Sequence, residues 1–402
     1  MSAGAFLKAA SKALLLMSPI VLGHQFASAG EAPDFAAGLR SAIDERMAGW
    51  VTPGIVVYVD VPGRGTWVEG FGVADLATGA PSDPLNHHRV GSVTKTLTGV
   101  SILLLVDEHK IGLDDSVEKY LPGMVPNGAN ITVRQLMDMT SGIYNFTEDE
   151  NYNITIDAEP DKVWSAEESI AIAVKHPPYH APGAAFHYSN TNTELLGLIV
   201  EKLSGIALSA FVESRILTPL GMTHTSIPAA ADASLPAPYE HGYFFGTNLD
   251  GMKAYNLVVA GGDPKTAVVP WPEGRPPVDA TNFSVSSSPA SGSAISTLAD
   301  MAIWAKALAT GSLLTPATHS QQITWSPHAH YGLNITEVLP GMLGHNGAIP
   351  GYQTLVAYDP ESGGTIVVFA NNQLEPNMPF FDGLPADEVG KLIQKELFPV
   401  AN

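Results

Sequence analysis

The chain has 402 residues, of which 45% are hydrophobic and 15% charged, enough to bury a sizeable core as one large domain or two smaller ones. Acidic residues outnumber basic ones by 40 to 20, and a net charge of −20 with no basic cluster argues against nucleic acid or an anionic membrane as a partner. The lack of cysteine excludes a thiol nucleophile, a thiolate metal site and a lipid-anchored N-terminal cysteine.

In chain order, Lys8 and Lys12 precede the apolar run 13–23, and Ala27-Ser28-Ala29 follows as a small-x-small cleavage site. This reads as a signal peptide over residues 1–29, with the mature protein secreted or held in the periplasm or cell envelope and not inserted in the membrane. A buried N-terminal helix is the alternative. Phe35, Leu39, Ile43 and Met47 have helical spacing, and the β-rich run 54–60 leads through Pro62-Gly63-Arg64-Gly65 into 66–70, a hairpin. The run 96–106 reads as a buried helix ending near Gly112, while Thr132 with Gln135 and Ser165 with Glu168 have the spacing of capping boxes. Helices follow at 191–203 and 297–308, then strands at 354–358 and 364–369 and a final helix at about 386–397.

These elements predict an α+β fold with one antiparallel sheet assembled from both chain ends, flanked by helices. Residues 30–90 and 291–402 would form the α/β domain and 91–290 an inserted, mainly helical domain. Within the insert, 237–290 is rich in Pro and Gly and lacks periodicity, which predicts a long irregular segment of the kind that is often functional.

Chemistry concentrates at three places. In Ser92-Val93-Thr94-Lys95 a hydroxyl and an amine sit one helical turn apart at the start of the apolar helix. A serine needs a neighbour to take its proton, a partly desolvated lysine can do so, and a helix N-terminus favours developing negative charge. The same spacing recurs at Ser116-Val117-Glu118-Lys119, which reads as a solvated helix start with Glu118 placed to engage Lys119. Tyr188-Ser189-Asn190 is the only Tyr-x-Asn in the chain. In a cationic pocket its tyrosine can lose its proton and act as a base, and Asn190 can hold the Lys95 ammonium and a substrate amide. The bland alternative is a capping Asn after a core Tyr. His345-Asn346-Gly347-Ala348 holds a His-x-Gly just before the C-terminal strands. Gly347 in a strand would permit close backbone approach, and the Ala348 N–H could join that of Ser92 as an oxyanion hole. A turn at Asn346-Gly347 is the alternative.

In this order, Ser-x-x-Lys, Tyr-x-Asn and His-x-Gly resemble the serine β-lactamase/DD-peptidase family, on its class C-like branch. Supporting stretches are Arg89 to Thr96, Thr132 to Leu136, Thr140-Ser141-Gly142, Pro219 to Met222 and Gly344 to Gly347 before Pro350-Gly351-Tyr352. The resemblance implies a secreted serine hydrolase in which Ser92 is acylated, Lys95 and Tyr188 act as coupled base and Tyr188 then as acid. Asn190, His345, Asn346, Gly347 and Ala348 would bind substrate, His345 through the leaving group's carboxylate or by helping proton movement. No cofactor or metal is implied, and the partner would be a small molecule or a peptidoglycan peptide. D-alanyl-D-alanine carboxypeptidase activity is the leading expectation. The alternatives are esterase, D-aminopeptidase or β-lactamase activity, or a slow penicillin-binding sensor module.

The chain departs from this branch where the leaving group would sit. Asn346 stands where a Thr is usual and Ala348 where a small hydroxyl residue is usual. Arg275, the single arginine after Arg215, is the remaining candidate to hold a terminal carboxylate. The pairs His176/His180 and His328/His330 lack a matching carboxylate pattern and read as surface or structural histidines.

Overall fold

The computed structural model describes residues 32–398. The signal-peptide expectation falls on residues 1–29, outside them. Seven strands form one antiparallel sheet: β1 (Gly54–Val61), β2 (Gly65–Asp75), β3 (Ala80–Pro81), β4 (Thr336–Leu339), β5 (Met342–Ile349), β6 (Tyr352–Tyr358) and β7 (Thr365–Ala370). Their spatial order is β3-β2-β1-β7-β6-β5-β4. The N-terminal hairpin therefore docks on the C-terminal meander through β1 and β7, with Ile55 opposite Ala370 and Asp60 opposite Thr365. The sheet is built from both chain ends, as its sequence pattern predicts.

Alternation along β1 sends Ile55, Val57 and Val59 to one face. There they meet Leu39 and Ile43 of α1 (Ala36–Met47) and Val389 and Ile393 of α7 (Pro385–Leu397) in one buried cluster. The opposite face carries α6 (Leu298–Thr310), whose fully buried Trp304 donates from Nε1 to Thr96 Oγ1 at 2.7 Å. Thr96 lies on α2 (Thr94–Asp107), which is buried from Thr94 through Leu105 and so needs no amphipathic pattern. The helix stops at Asp107, five residues before Gly112, because His109 takes a left-handed φ of +58°.

Both capping boxes form, Thr132 with Gln135 and Ser165 with Glu168. Ser116 precedes the short helix Val117–Tyr120 without capping it through its side chain, Lys119 donates to Asp115 Oδ2 at 2.9 Å, and Glu118 accepts from the Gly123 N–H. The expected Glu118–Lys119 pairing is thus replaced by an i,i+4 pair. Helices α3 (Glu150–Ala158) and α4 (Asn190–Ser204) belong to the insert. The 237–290 segment is not irregular throughout. It contains α5 (Asn248–Val259), N-capped by Thr247, whose only fully buried residue is Ala254. Its apolar residues Leu249, Met252, Tyr255 and Val259 have helical spacing, and the last three line a cavity instead of packing in a core.

Candidate active site

Ser92 lies in the 3-10 turn Gly91–Val93 that opens α2, and Lys95 is in the first turn of the helix. Lys95 Nζ donates to Ser92 Oγ at 2.9 Å and to the Ser291 carbonyl at 2.8 Å. The lysine is fully buried, and that burial lowers its pKa from 10.5 to about 7, with the negative field of Glu194 pulling it partly back up. An amine that is half neutral near pH 7 and bonded to a serine hydroxyl is equipped to take that hydroxyl's proton.

Tyr188 presents its ring to Lys95, whose Nζ lies 4.9 Å from the ring centroid. Desolvation drives its hydroxyl far above the ordinary phenol value, only partly offset by a hydrogen bond with Ser92. This corrects the expectation of an ionised tyrosine. Lys95 Nζ lies over the face of the ring, and burial dominates the titration of the hydroxyl. Tyr188 keeps its proton and is fit to donate it.

Asn190 begins α4 and lines the same cavity as Ser92 and Tyr188. It does not hold Lys95. Its Nδ2 donates to Thr147 Oγ1 at 3.0 Å and to Asn145 Oδ1 at 3.3 Å, so only its carbonyl is left for a substrate N–H. Lys95 has Ser92 and Ser291 as partners instead.

The His-x-Gly stretch is strand, not turn. Residues 345–349 of β5 pair with β6 alone, since β4 pairs only as far as Gly344. Gly347 is required by close packing within the chain, because a Cβ there would lie 2.1 Å from the Val90 carbonyl oxygen and 2.8 Å from the Ser92 nitrogen. Gly91 makes the reciprocal approach at φ +52°, where a Cβ would lie 2.8 Å from the Ala348 nitrogen. The Ser92 turn and the Ala348 N–H are therefore pressed together, the arrangement an oxyanion hole needs.

His345 is 3% exposed, its ring 6.3 Å from that of Tyr188 and 5.7 Å from that of Tyr331. Its Nδ1–H donates to the Asn346 carbonyl at 2.5 Å, and Nε2 accepts from the buried Tyr331 hydroxyl at 3.0 Å. With both nitrogens committed and burial lowering its pKa to about 4, it stays neutral. This corrects its expected part in proton movement or carboxylate binding: it is a neutral ring, held at both nitrogens, that packs beside Tyr188. Asn346 reaches in the other direction and donates to Asp387 Oδ2 of α7 at 2.8 Å.

The cavity has a volume of about 530 Å³ and is walled by α3, α5, β5 and residues 374–384. Ile156, Met252, Tyr255, Phe283, Phe380 and Phe381 give it a largely apolar lining, in which Glu148 is the only charged side chain. Glu148 accepts from Tyr179, His187 and Asn145. Arg275 does not line it; its guanidinium stacks 4.1 Å above the Trp271 ring. Sequence reasoning missed Tyr331, Glu148, Glu194 and the Ser291 carbonyl, and no local signal marks them. Among the described residues no three His, Asp or Glu side chains converge as metal ligands. His176 pairs with Asp149 and His330 with Glu337.

Comparison with known proteins places this geometry. The β-lactamase family profile matches residues 39–387. The structure of a D-stereospecific amidohydrolase from a Streptomyces species superposes with a TM-score of 0.73 at 28% identity, over 91% of this chain and 99% of that one. A D-amino acid amidase from Ochrobactrum anthropi SV3 shares the fold, with a TM-score of 0.70 at 22% identity over 89% of this chain and 97% of that one. Among curated sequences, the putative penicillin-binding protein PbpX of Bacillus subtilis is 28% identical over 76% of this chain and 66% of its own length. Protein flp of Staphylococcus aureus is 32% identical over 43% of this chain, a match that spans only 34% of flp. With the profile running through both halves of the sheet and the helices between them, the chain belongs to the β-lactamase family of serine hydrolases, on its class C-like side.

Proposed function

We propose that this protein is an exported serine hydrolase that forms an acyl-enzyme on Ser92. We propose further that its substrates are amides or esters with a bulky apolar group, in preference to peptides ending in a free carboxylate. Ser92 Oγ attacks the carbonyl carbon and its proton passes to Lys95. The N–H groups of Ser92 and Ala348 receive the oxyanion. Tyr188 protonates the leaving amine or alkoxide and is reprotonated from Lys95, and water then releases the acyl group through the same residues. Asn190 accepts from an N–H on the acyl side.

The observation that carries the choice of substrate is the charge of the cavity wall. Its single charged lining residue is the acid Glu148, and Arg275 is engaged by Trp271. A terminal carboxylate would be desolvated among apolar side chains without a cationic partner. A neutral or positively charged substrate meets no such cost. The Streptomyces amidohydrolase relationship supports the amide reading.

The test is a panel of a hydrophobic D-amino-acid amide, an aryl ester, an acylated D-Ala-D-Ala peptide and a cephalosporin, with Ser92→Ala as blank. The amide or the ester is expected to exceed the D-Ala-D-Ala peptide in kcat/KM by about tenfold to a hundredfold, the worth of an unmade charged hydrogen bond. Preference for the D-Ala-D-Ala peptide would overturn this choice. A lasting penicillin adduct with no turnover of any substrate would point to the sensor module. Export rests on residues 1–29, and is checked by the N-terminus of protein recovered outside a bacterial host's cytoplasm, expected at Gly30.

A further inference from the structure

Glu194 is a buried acid that the chemistry above leaves unused. It lies in the second turn of α4 and is 1% exposed. One carboxylate oxygen, Oε2, accepts from the Ala290 N–H at 3.2 Å, and the neighbouring Ser291 hydroxyl also favours the charged carboxylate. The next residue's carbonyl, on Ser291, is the acceptor that seats Lys95 at 2.8 Å, and Thr98 of α2 donates to the Ala290 carbonyl at 2.7 Å. Residues 290–291 are thus a strap between the helix that carries the nucleophile and the helix that carries Glu194.

A buried carboxylate is costly unless hydrogen bonds and a positive charge compensate it, and Ser291 and Ala290 supply the hydrogen bonds. The buried cation nearby is Lys95. Each is felt by the other: Glu194 favours the charged lysine, and Lys95 favours the charged carboxylate, against burial that brings both to about 7. The other titratable groups facing the pair are Tyr188, Tyr152 of α3, and His345 of β5 with Tyr331 behind it. Burial raises all three tyrosines and lowers the histidine to about 4. None of them changes charge near neutral pH, so the pair's balance is its own.

We propose that Glu194 is a positioning residue that acts through Lys95. It anchors the strap that seats the lysine, and as a carboxylate it retains a proton on the Lys95 amine, setting the pH at which that amine becomes free to accept the Ser92 proton. It also stabilises the ammonium that forms once Ser92 has attacked. The inference rests on Ser92 and Lys95 as nucleophile and base.

The experiment compares pH profiles of kcat/KM for wild type, Glu194→Gln and Glu194→Asp with an aryl ester. The Gln variant keeps an acceptor for the Ala290 N–H and removes the charge. Its acid limb is expected to move to lower pH by about half a unit or more, because the negative field that favours the charged lysine is removed. The Asp variant keeps the charge and is expected to stay nearer to wild type. A Gln variant that melts like wild type and shows an unmoved limb would overturn the proposal. Titration of the Lys95 15Nζ resonance in wild-type protein needs no variant. Two steps between about pH 5 and 10 are expected from a coupled pair, and one simple step contradicts the coupling. If Ser92→Ala retains activity, the underlying assignment fails. If that blank is dead and the Gln limb does not move, only the role of Glu194 fails.

Discussion

Replacing Gly347 by alanine tests whether the contact between β5 and the Ser92 turn does catalytic work. The added methyl would lie 2.1 Å from the Val90 carbonyl oxygen and 2.8 Å from the Ser92 nitrogen, both backbone atoms that cannot swing aside. Ordinary contact begins near 3.4 Å, so strand and turn must part by about 1 Å. That displacement separates the Ser92 and Ala348 N–H groups that are to share one oxyanion. Losing one such donor removes about 3 kcal/mol of transition-state stabilisation, or roughly a hundredfold to a thousandfold in kcat. KM should change little, because the cavity walls on α3 and α5 do not move. Stability should fall by about 1–3 kcal/mol from overpacking. The assay is steady-state turnover of an aryl ester beside thermal unfolding of the same preparation. A Gly347→Ala variant that is destabilised yet keeps kcat within about threefold of wild type would refute the reasoning.

Other outcomes follow from the same geometry. The activity of wild-type enzyme should rise with pH through about 7, because Lys95 must lose its proton to act as base and burial holds its pKa there. No further inflection from His345 is expected above about pH 4, where it is already neutral, as a pH–rate profile will show. Tyr331→Phe should leave His345 Nε2 buried and unpaired and lower unfolding stability by about 1–3 kcal/mol in denaturant titration. Arg275→Ala should leave kcat/KM for the amide and ester unchanged, since the guanidinium lies on Trp271 and not in the cavity; a large loss would return it to the site.

Much of this was legible in the chain. The strands at both ends, the two capping boxes and the order of the three motifs rest on local chemistry, which sequence carries directly. Ser92 and Lys95 meet because the 3-10 turn that carries Ser92 runs directly into the first turn of α2, so their contact is local in sequence. The duplicate at Ser116 differs by context: it precedes a four-residue helix, and its lysine pairs with Asp115. What stayed illegible depends on contacts far apart in the sequence. Tyr331 neutralises the apparent promise of His345 by holding its ring, and Asn145 and Thr147 occupy the Asn190 amide that had been expected at Lys95. Glu194 sits beside the apolar stripe of α4, where sequence cannot tell a buried acid from an exposed one. The helix α5 has helical apolar spacing, but it lies within a Pro- and Gly-rich stretch and turns that face to a cavity.

The central claim is that Ser92 carries the acyl group. Protein quenched during turnover of an aryl ester and digested for mass spectrometry should show the acyl mass on the peptide containing Ser92, with no adduct and no turnover in Ser92→Ala. An adduct on another residue, or undiminished turnover by Ser92→Ala, would contradict the account.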